Sequence, residues 1–354
     1  AVNKMDNALG RAAIIENGSP LFSGGTSSGE SQIRRWLLEN DLIEAIIALP
    51  VDLFYNTGIA TYIWVLSKNK REERRGKIQL IDAGSIFHKL RKALGNKKNE
   101  ISPEDRSAIT KLYADFAENE LCKIYPNTEF IYREYTVMQP LQRSYAVTEE
   151  RIQAMLSKGS LSSLYDPAKV AELENSEEEL TGKELKKLEN YQNNAPVYKA
   201  IIELLRCADD DKVYLSPAEF MPVLTKILST ATTDKKLLDK IADGLSVMDK
   251  SAEIQRDKKG NIIYDKETKD TEIVKFDESI EDYMAREVLP HVPDAQWFFE
   301  EDLSKKSPVV KTGAEIPFTR YFYKYQQPKP SEELEQRFLE LEKSVSERIA
   351  RLFG

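Results

Sequence analysis

Two short apolar runs set the pattern of the first part of the chain. Residues 42–48 and 61–66 are rich in Ile, Val, Tyr and Trp, and the segment between them is punctuated by a proline, an asparagine and a glycine. Runs this short and this rich in β-branched and aromatic residues favour strands over helices. We therefore predict two buried strands joined by a loop that carries Phe54 and Tyr55 at its tip.

The pattern continues on both sides of these strands. Apolar runs at 11–16 and 77–82 predict further strands, the first of them buried. Residues 30–40 have helical spacing, with Ile33 on the apolar face and a serine as the N-cap. This order of elements fits the closing half of a parallel sheet, with the 41–68 pair as an antiparallel hairpin at its edge. The fold class predicted is α/β.

The next stretch, 87–102, is basic and broken by Gly and Asn, which predicts an exposed loop. Ser102, followed by Pro103 and two acidic residues, then marks the start of a helix that extends to about residue 119.

Beyond residue 147 the chain becomes highly charged and its apolar residues recur at helical spacing. A turn at 257–261 is followed by a polar stretch that predicts either a β-hairpin or a long loop. The predicted helices span 149–156, 168–174, 177–191, 196–208, a segment that starts at Ser216, and 234–245.

The last predicted helix, 331–352, carries apolar residues at alternating spacings of three and four, as in a coiled-coil seam. A proline-containing link at 326–330 precedes it, and such a link favours reach away from the body of the chain. We expect the helix to dock on a partner, although it could instead fold back onto residues 150–245. The seam residues are Leu334, Phe338, Leu341, Val345, Ile349 and Leu352.

Charge is unevenly distributed along the chain. The whole chain has a formal net charge of -8, yet residues 68–98 hold eleven Lys/Arg against three Asp/Glu. This local surplus predicts a DNA-facing surface that includes Arg71, Arg74 and Arg75, and a solvated loop is the equally weighted alternative. No apolar run approaches the roughly 20 residues of a membrane span, so we expect a cytoplasmic protein.

Several segments resemble the M subunit of type I restriction-modification systems. The resemblance lies in GRAAIIENGSPLFSGG at 10–25, in the segment 33–68, in GKIQLIDAG at 76–84 and in GAEIPFTRYFYKYQQP at 313–328. It is strong at 10–145 and 255–350 and weaker between them. The family methylates adenine in DNA, so the resemblance implies a DNA methyltransferase that uses S-adenosylmethionine.

The resemblance also implies roles for particular residues and partners. In this family a Phe or Tyr in the loop that corresponds to Phe54, Tyr55 and Asn56 is thought to stack on the adenine taken out of the duplex. Core packing of these aromatic residues is the alternative. The implied partners are DNA, a specificity subunit, whose helical spacer is the candidate for the 331–352 seam, and a nuclease subunit.

Two motifs of adenine methyltransferases are missing. The chain has no Pro-Pro dipeptide and therefore no Asn-Pro-Pro-Phe-like tetrapeptide, and no glycine turn with an acidic ribose partner. The GGTSSG segment at 24–29 lacks the Walker lysine, and we interpret it as a loop entering a helix. We expect the chain to be the C-terminal portion of an M subunit, inactive alone, or a non-catalytic interaction module.

These inferences combine into one predicted architecture. The resemblance implies the C-terminal edge of a Rossmann-like methyltransferase sheet, followed by a largely α-helical region and a coiled-coil-like helix. The predicted divisions are 1–146 for the methyltransferase α/β part, 147–250 for the charged helices, 251–330 for a mixed segment and 331–354 for the partner-docking helix.

Overall fold

The computed structural model describes residues 1–176, 180–208, 210–325, 327–328 and 330–353. The chain forms two compact units that interleave along the sequence, since the first contains Ala1–Glu134, Ile273–Glu278 and Glu301–Gly354 and the second contains the rest. The four consecutive divisions predicted from the sequence stay a prediction. The predicted helix start at 177 and parts of the predicted link at 326–330 lie outside the described residues.

A five-stranded sheet forms the centre of the first unit, and it confirms the predicted α/β class. The β2 and β4 strands are parallel, and the other neighbouring pairs are antiparallel. The predicted hairpin is therefore present, but it was wrongly placed at the sheet edge, because β3 lies between β1 and β2. The strand order is β1 (Arg11–Asn17), β3 (Thr61–Ser67), β2 (Ile43–Leu49), β4 (Lys77–Asp82) and β7 (Cys122–Pro126).

Both faces of β2 are covered, which explains why its sequence is a continuous apolar run rather than an alternating one. Ile43 and Ile46 belong to the core on one face, and Ile47 and Leu49 belong to the core on the other. Two helices, α2 (Gly29–Glu39) and α3 (Pro103–Asp115), contribute to these cores.

The capping residues explain where these two helices begin. The Ser28 hydroxyl accepts a hydrogen bond from the Ser31 amide at the start of α2. Ser102 and Asp105 form a reciprocal capping box at the start of α3. Each cap satisfies amides that would otherwise lack an intrahelical acceptor.

Two exposures in the first unit contradict the sequence predictions. Ile33 was placed on the apolar face of α2, but its side chain is 62% exposed. The β1 strand was predicted to be buried, yet its residues are exposed or half-buried and Ile15 is 52% exposed. The reason for the second difference is that β1 is an edge strand that pairs only with β3 within this sheet.

Residues 87–102 form a β-hairpin rather than the predicted loop. Its strands, β5 (His88–Leu94) and β6 (Lys97–Glu100), pair antiparallel. Gly95 in the turn has φ 63°, a left-handed conformation that glycine adopts readily. The sequence pattern did not predict these strands, because lysine and arginine do not produce the alternation of apolar and polar residues that indicates a strand.

The remaining elements of the first unit complete its core. β14 pairs with the first residues of β8, a strand that continues into the second unit. The helix predicted at 331–352 is confirmed. These elements are α1 (Ser19–Phe22), β8 (Ile131–Pro140), β14 (Thr312–Ala314), α10 (Phe318–Phe322) and α11 (Ser331–Phe353).

The second unit combines helices with short strands. The predicted helices at 149–156, 168–174 and 234–245 and the helix start at Ser216 are confirmed. One long helix replaces the two predicted at 177–191 and 196–208. The elements of the second unit are β9 (Arg143–Val147), α4 (Glu149–Ser157), α5 (Pro167–Glu174), α6 (Gly182–Cys207), which is the long helix, β10 (Asp210–Tyr214), α7 (Pro217–Leu228), α8 (Lys235–Gly244), β11 (Ser246–Met248), β12 (Tyr264–Lys275), α9 (Ile280–Tyr283) and β13 (Gln296–Phe298).

The α6 helix continues through Pro196, although an interior proline costs about 3 kcal/mol. Tyr191, Ile201 and Leu205 are buried on either side of the proline. Burying side chains of this size contributes about 1.5–3 kcal/mol each, which is sufficient to offset the proline.

No helix in the described ranges is both long enough and apolar enough to cross a membrane.

Candidate nucleic-acid interface

The loop between β2 and β3, residues 50–60, has a constrained backbone. Asp52 adopts a positive φ of 57°. Its amide donates to the Gly58 carbonyl over 3.4 Å. A Cβ added at Gly58 would lie 2.5 Å from the Asp52 Oδ1 atom, so a side chain at that position would require the Asp52 carboxylate to move. The loop therefore has a defined shape that presents residues 54–56 at its tip.

The β5–β6 hairpin is hydrogen-bonded to this loop along its length. The amides of Lys98 and Asn99 both donate to the Asp52 carbonyl, over 3.0 and 3.1 Å. The Asn99 side-chain amide donates to the Val51 carbonyl over 2.9 Å. Near the turn, the Asn96 amide donates to the Tyr55 carbonyl over 3.0 Å. Loop and hairpin thus form one surface, which we call the loop–hairpin surface (residues 50–60 and 88–100).

The three loop residues singled out in the sequence have different environments. Phe54 is half-buried and lines a cavity. Tyr55 is 59% exposed, and the Lys97 ammonium lies 5.3 Å from the centre of its ring. Asn56 is exposed. An exposed aromatic ring next to a lysine is a combination typical of nucleic-acid-binding surfaces.

The cavity beside Phe54 has a volume of about 740 Å³ and lies against the face of the sheet toward β1. Its walls are mostly apolar, and the polar or charged residues among them are Arg11, Lys97, Glu100, Arg106, Thr110 and Tyr113. The apolar lining includes Ala13, Ile15, Ile47, Leu53, Ile63 and Val65.

Behind the cavity, Tyr113 and Arg11 hold a buried carboxylate. The Tyr113 hydroxyl donates to Glu44 Oε1 over 2.5 Å, and Arg11 Nη2 lies 2.8 Å from Glu44 Oε2. Burial raises the pKa of Tyr113, and its bond to Glu44 raises it further. The phenol therefore stays protonated at neutral pH and acts as a hydrogen-bond donor.

Arg71, Arg74 and Arg75 lie away from this surface. They follow β3, whereas the loop precedes it, and the seven residues of β3 span about 20 Å. Arg71 is exposed, and Arg75 pairs with Glu72 over 2.7 Å. The structure thus separates the predicted cations from the predicted aromatic residues.

Arg74 was predicted to face DNA, but its position contradicts this prediction because the residue is only 2% exposed. Its guanidinium donates to Gln79 Oε1 over 2.8 Å and lies 4.5 Å from the centre of the Tyr113 ring. Its Nε lies 3.6 Å from Glu44. A guanidinium with these partners stabilises the core and is not accessible to phosphate.

The cations on the first strand of the hairpin were not singled out from the sequence. Lys89, Arg91 and Lys92 lie on β5 and are exposed. Their signal was the same local surplus of charge that pointed to the arginines at 71–75. Only the pairing of β5 with β6 shows which part of that surplus lies beside the aromatic loop.

The seam of α11 is exposed. The exposed fractions of its six seam side chains lie between 51% and 78%. An isolated helix gains nothing from apolar residues in water, so this face is unsatisfied within the described chain.

Comparison with known proteins shows what the first part of the chain is similar to. Residues 2–151 match the family model described as N-6 DNA Methylase. The matched stretch contains the five-stranded sheet and the whole loop–hairpin surface.

Two individual proteins are similar to part of the chain. The chain is 36% identical over 128 residues to the type I restriction enzyme MjaVIII methylase subunit of Methanocaldococcus jannaschii. This alignment covers 36% of this chain and 21% of that protein. It is 39% identical over 75 residues to the HindI methylase subunit of Haemophilus influenzae, covering 21% and 16%. The resemblance to type I methylase subunits is confirmed for this part, and the chain spans about a fifth of these relatives' lengths.

A solved structure gives a local likeness. The methyltransferase subunit of a type I restriction-modification system from Streptococcus thermophilus is 27% identical, with a TM-score of 0.29. The alignment covers 34% of this chain and 24% of that one.

Proposed function

We propose that this chain is part of the M subunit of a type I restriction-modification system, which transfers a methyl group from S-adenosylmethionine to the exocyclic amine of adenine in DNA. The observation that carries the proposal is the loop–hairpin surface. Within the stretch that resembles N-6 DNA methylases, it combines a half-buried Phe54, an exposed Tyr55 and several lysines. Base flipping requires aromatic faces for the extruded base and cations for the phosphates.

The open edge of the sheet supports the same proposal. β1 ends the sheet on one side, and the face beside it forms the apolar cavity lined by Ala13, Ile15 and Val65. An unpaired edge next to an uncovered apolar face is suited to a further strand and a covering helix. In this proposal, the remainder of a Rossmann-like methyltransferase sheet would pair there.

The described residues do not fit S-adenosylmethionine by themselves. In the glycine-containing loop before α2, the Ser28 hydroxyl caps the helix and the buried Thr26 hydroxyl lies 3.2 Å from Glu134. Both hydroxyls form hydrogen bonds within the protein, so this loop does not provide a binding site for an adenosyl group. We derive no catalytic step through the cofactor from this chain.

This leads to a binding prediction. Titration calorimetry of the chain alone with S-adenosylmethionine should give no saturable isotherm, whereas an M subunit that contains this chain after an Asn-Pro-Pro-Phe-like segment should give one. The reason is the missing glycine turn and acidic ribose partner. A saturable isotherm in the micromolar range for the chain alone would contradict this part of the proposal.

The activity is tested in the assembled protein. The M subunit that contains this chain, purified with its specificity subunit, should transfer labelled methyl groups to adenine in duplex DNA. The same complex with the Asn of the Asn-Pro-Pro-Phe-like segment replaced by Ala should not. If the intact complex forms and binds DNA but transfers no methyl group, the catalytic assignment fails.

The exposed seam of α11 favours a second function, docking on a specificity subunit. Six apolar side chains on a helix of 23 residues can form a helical bundle with a partner helix. Docking accompanies methylation in the leading proposal. In the alternative, the protein is a non-catalytic interaction module, and docking without methyl transfer would support that alternative.

A further inference from the structure

Among the cations of residues 68–98, the exposed ones without an ion-pair partner are most numerous on one strand. Lys68 donates to Asn7, Lys70 pairs with Asp41 and Lys98 pairs with Asp52. Arg74 is buried and Arg75 pairs with Glu72, as described above. Four of the eleven cations of this stretch are therefore paired with a carboxylate within the first unit.

The β5 strand holds the largest group of the remaining exposed cations, and Arg71 and Lys77 are exposed singly elsewhere. Lys89, Arg91 and Lys92 are exposed, and within the ranges that the structure describes none of the three side chains forms an ion pair or a hydrogen bond. They span about 10 Å along the strand, which corresponds to about three base-pair steps of a duplex. At the end of the same strand, Leu94 is 49% exposed. The strand thus offers a short row of cations that ends in an apolar tip.

This row has a fixed position relative to the aromatic loop. Four hydrogen bonds from β6 and the turn hold the hairpin against residues 51–55. At the base of the hairpin, His88 Nδ1 lies 2.7 Å from Asp105 Oδ2 at the start of α3. The cations are therefore presented by a ribbon anchored at both ends rather than by a mobile loop.

We propose that the β5–β6 hairpin is the element that seats duplex DNA on the protein, with Lys89, Arg91 and Lys92 at the phosphates that flank the base received by Phe54 and Tyr55. This inference rests on the proposed function. Phosphate contacts fix the register of a protein on DNA, and a two-stranded ribbon is narrow enough to follow a groove. Arg71 and Arg75, at the other end of β3, contribute little to binding.

The test uses the full M subunit with its specificity subunit. In the variant Lys89→Gln/Arg91→Gln/Lys92→Gln, the slope of log affinity against log salt should become less steep by about 2 to 3, since each phosphate contact contributes about 0.9. The swap Lys89→Arg/Arg91→Lys/Lys92→Arg should keep the parent slope, because a phosphate contact requires charge rather than a particular side chain.

A matched control removes the same charge elsewhere. Lys226, Lys235 and Lys236 are exposed on α7 and α8, and their replacement by Gln should leave the slope unchanged. Thermal melts should show the parent midpoint for every variant, because the substituted side chains are exposed.

The outcomes separate this inference from the proposed function. If the parent methylates DNA but the hairpin variant keeps its salt slope and affinity, the hairpin inference is overturned and the proposed function stands. If the variant instead loses the specificity subunit while DNA binding is unchanged, the hairpin is a protein-docking element and the inference is also overturned. If the parent binds DNA through the hairpin without methylating it, only the proposed function fails.

Discussion

At the scale of single residues, the role of Phe54 can be tested by measuring how its truncation changes DNA binding and the stability of the fold. Its ring is half-buried on the wall of the cavity, whereas Phe130 is 2% exposed in the core of the same unit. In the full M subunit, Phe54→Ala should weaken binding to DNA that contains the target adenine by about 1 to 3 kcal/mol, because a base loses its stacking partner. The loss should be measured by fluorescence titration.

The matched variant Phe130→Ala should behave in the opposite way. Truncating a buried aromatic residue to Ala lowers the free energy of unfolding by about 3–5 kcal/mol. Phe130 does not lie on the loop–hairpin surface, so its truncation should leave DNA binding unchanged. If Phe54→Ala lowers the melting temperature as far as Phe130→Ala does, Phe54 is a core residue and the stacking role is wrong.

The arginines show where residue-level prediction from the sequence ends. Nothing in the local sequence distinguishes Arg74 from Arg71 and Arg75, yet Arg74 lies in the core with Glu44 and Gln79. Arg34 is likewise buried, and its guanidinium donates to the carbonyls of Pro20, Ser23 and Ala314. Partners 280 residues away in the sequence cannot be identified from local composition. A buried guanidinium is costly unless it is paired, so those partners determine its position.

At the scale of elements, the anchoring of the hairpin to α3 should depend on pH. The hydrogen bond with Asp105 and the charge of Asp105 raise the pKa of His88, and the Ser102 amide and His88 lower the pKa of Asp105. A raised histidine pKa stabilises the fold below the unfolded value of about 6.5. That contribution is lost as the pH rises through the higher folded pKa of His88. At the acid end, the contribution of Asp105 is lost as the pH falls through its lowered pKa.

Nuclear magnetic resonance can follow this titration directly, because the chain has two histidines and His291→Gln leaves His88 as the only one. In that background, Asp105→Asn should lower the pKa of His88 while asparagine preserves the cap of α3. An unchanged His88 titration in the Asn variant would show that the two side chains do not interact in solution.

Element prediction succeeded where apolar periodicity or capping chemistry is strong. The apolar runs of β2 and β3 and the Ser102-Pro103 start of α3 were sufficient to locate those elements. It failed for strands made of charged residues, such as β5 and β10. Backbone hydrogen bonds to a neighbouring strand stabilise these strands, and the pattern of side chains along the sequence does not predict those bonds.

At the scale of the whole molecule, the interleaving of the two units could not have been predicted. The first unit takes residues from three separated parts of the chain, because β14 returns to pair with Ile131, Tyr132 and Arg133. A composition shift marks a boundary between consecutive segments and contains no information about such a return. The second unit has its own buried ion pair, Arg143 with Asp265 over 2.9 Å, on two strands that the sequence pattern did not connect.

The last prediction concerns assembly through α11. Deleting residues 330–354 from the full M subunit should abolish co-purification with the specificity subunit, while circular dichroism and the melting temperature of the remainder stay close to those of the parent. The physical reason is that the seam residues are more than half exposed and contribute little to the fold of the first unit. Their apolar surface becomes stabilising only when a partner helix covers it.

A pair of point variants gives the sharper form of this test. Phe338→Glu/Leu341→Glu places charges in the seam, whereas Glu340→Lys/Glu347→Lys changes charges elsewhere on the helix and leaves all six seam residues intact. Only the first variant should lose the specificity subunit, because burying an unpaired carboxylate in a helical interface is costly. If both variants co-purify stoichiometrically with the specificity subunit, the helix is not the docking element. If the seam variant unfolds instead, the seam is covered by the rest of the same chain in solution, and α11 belongs to its core.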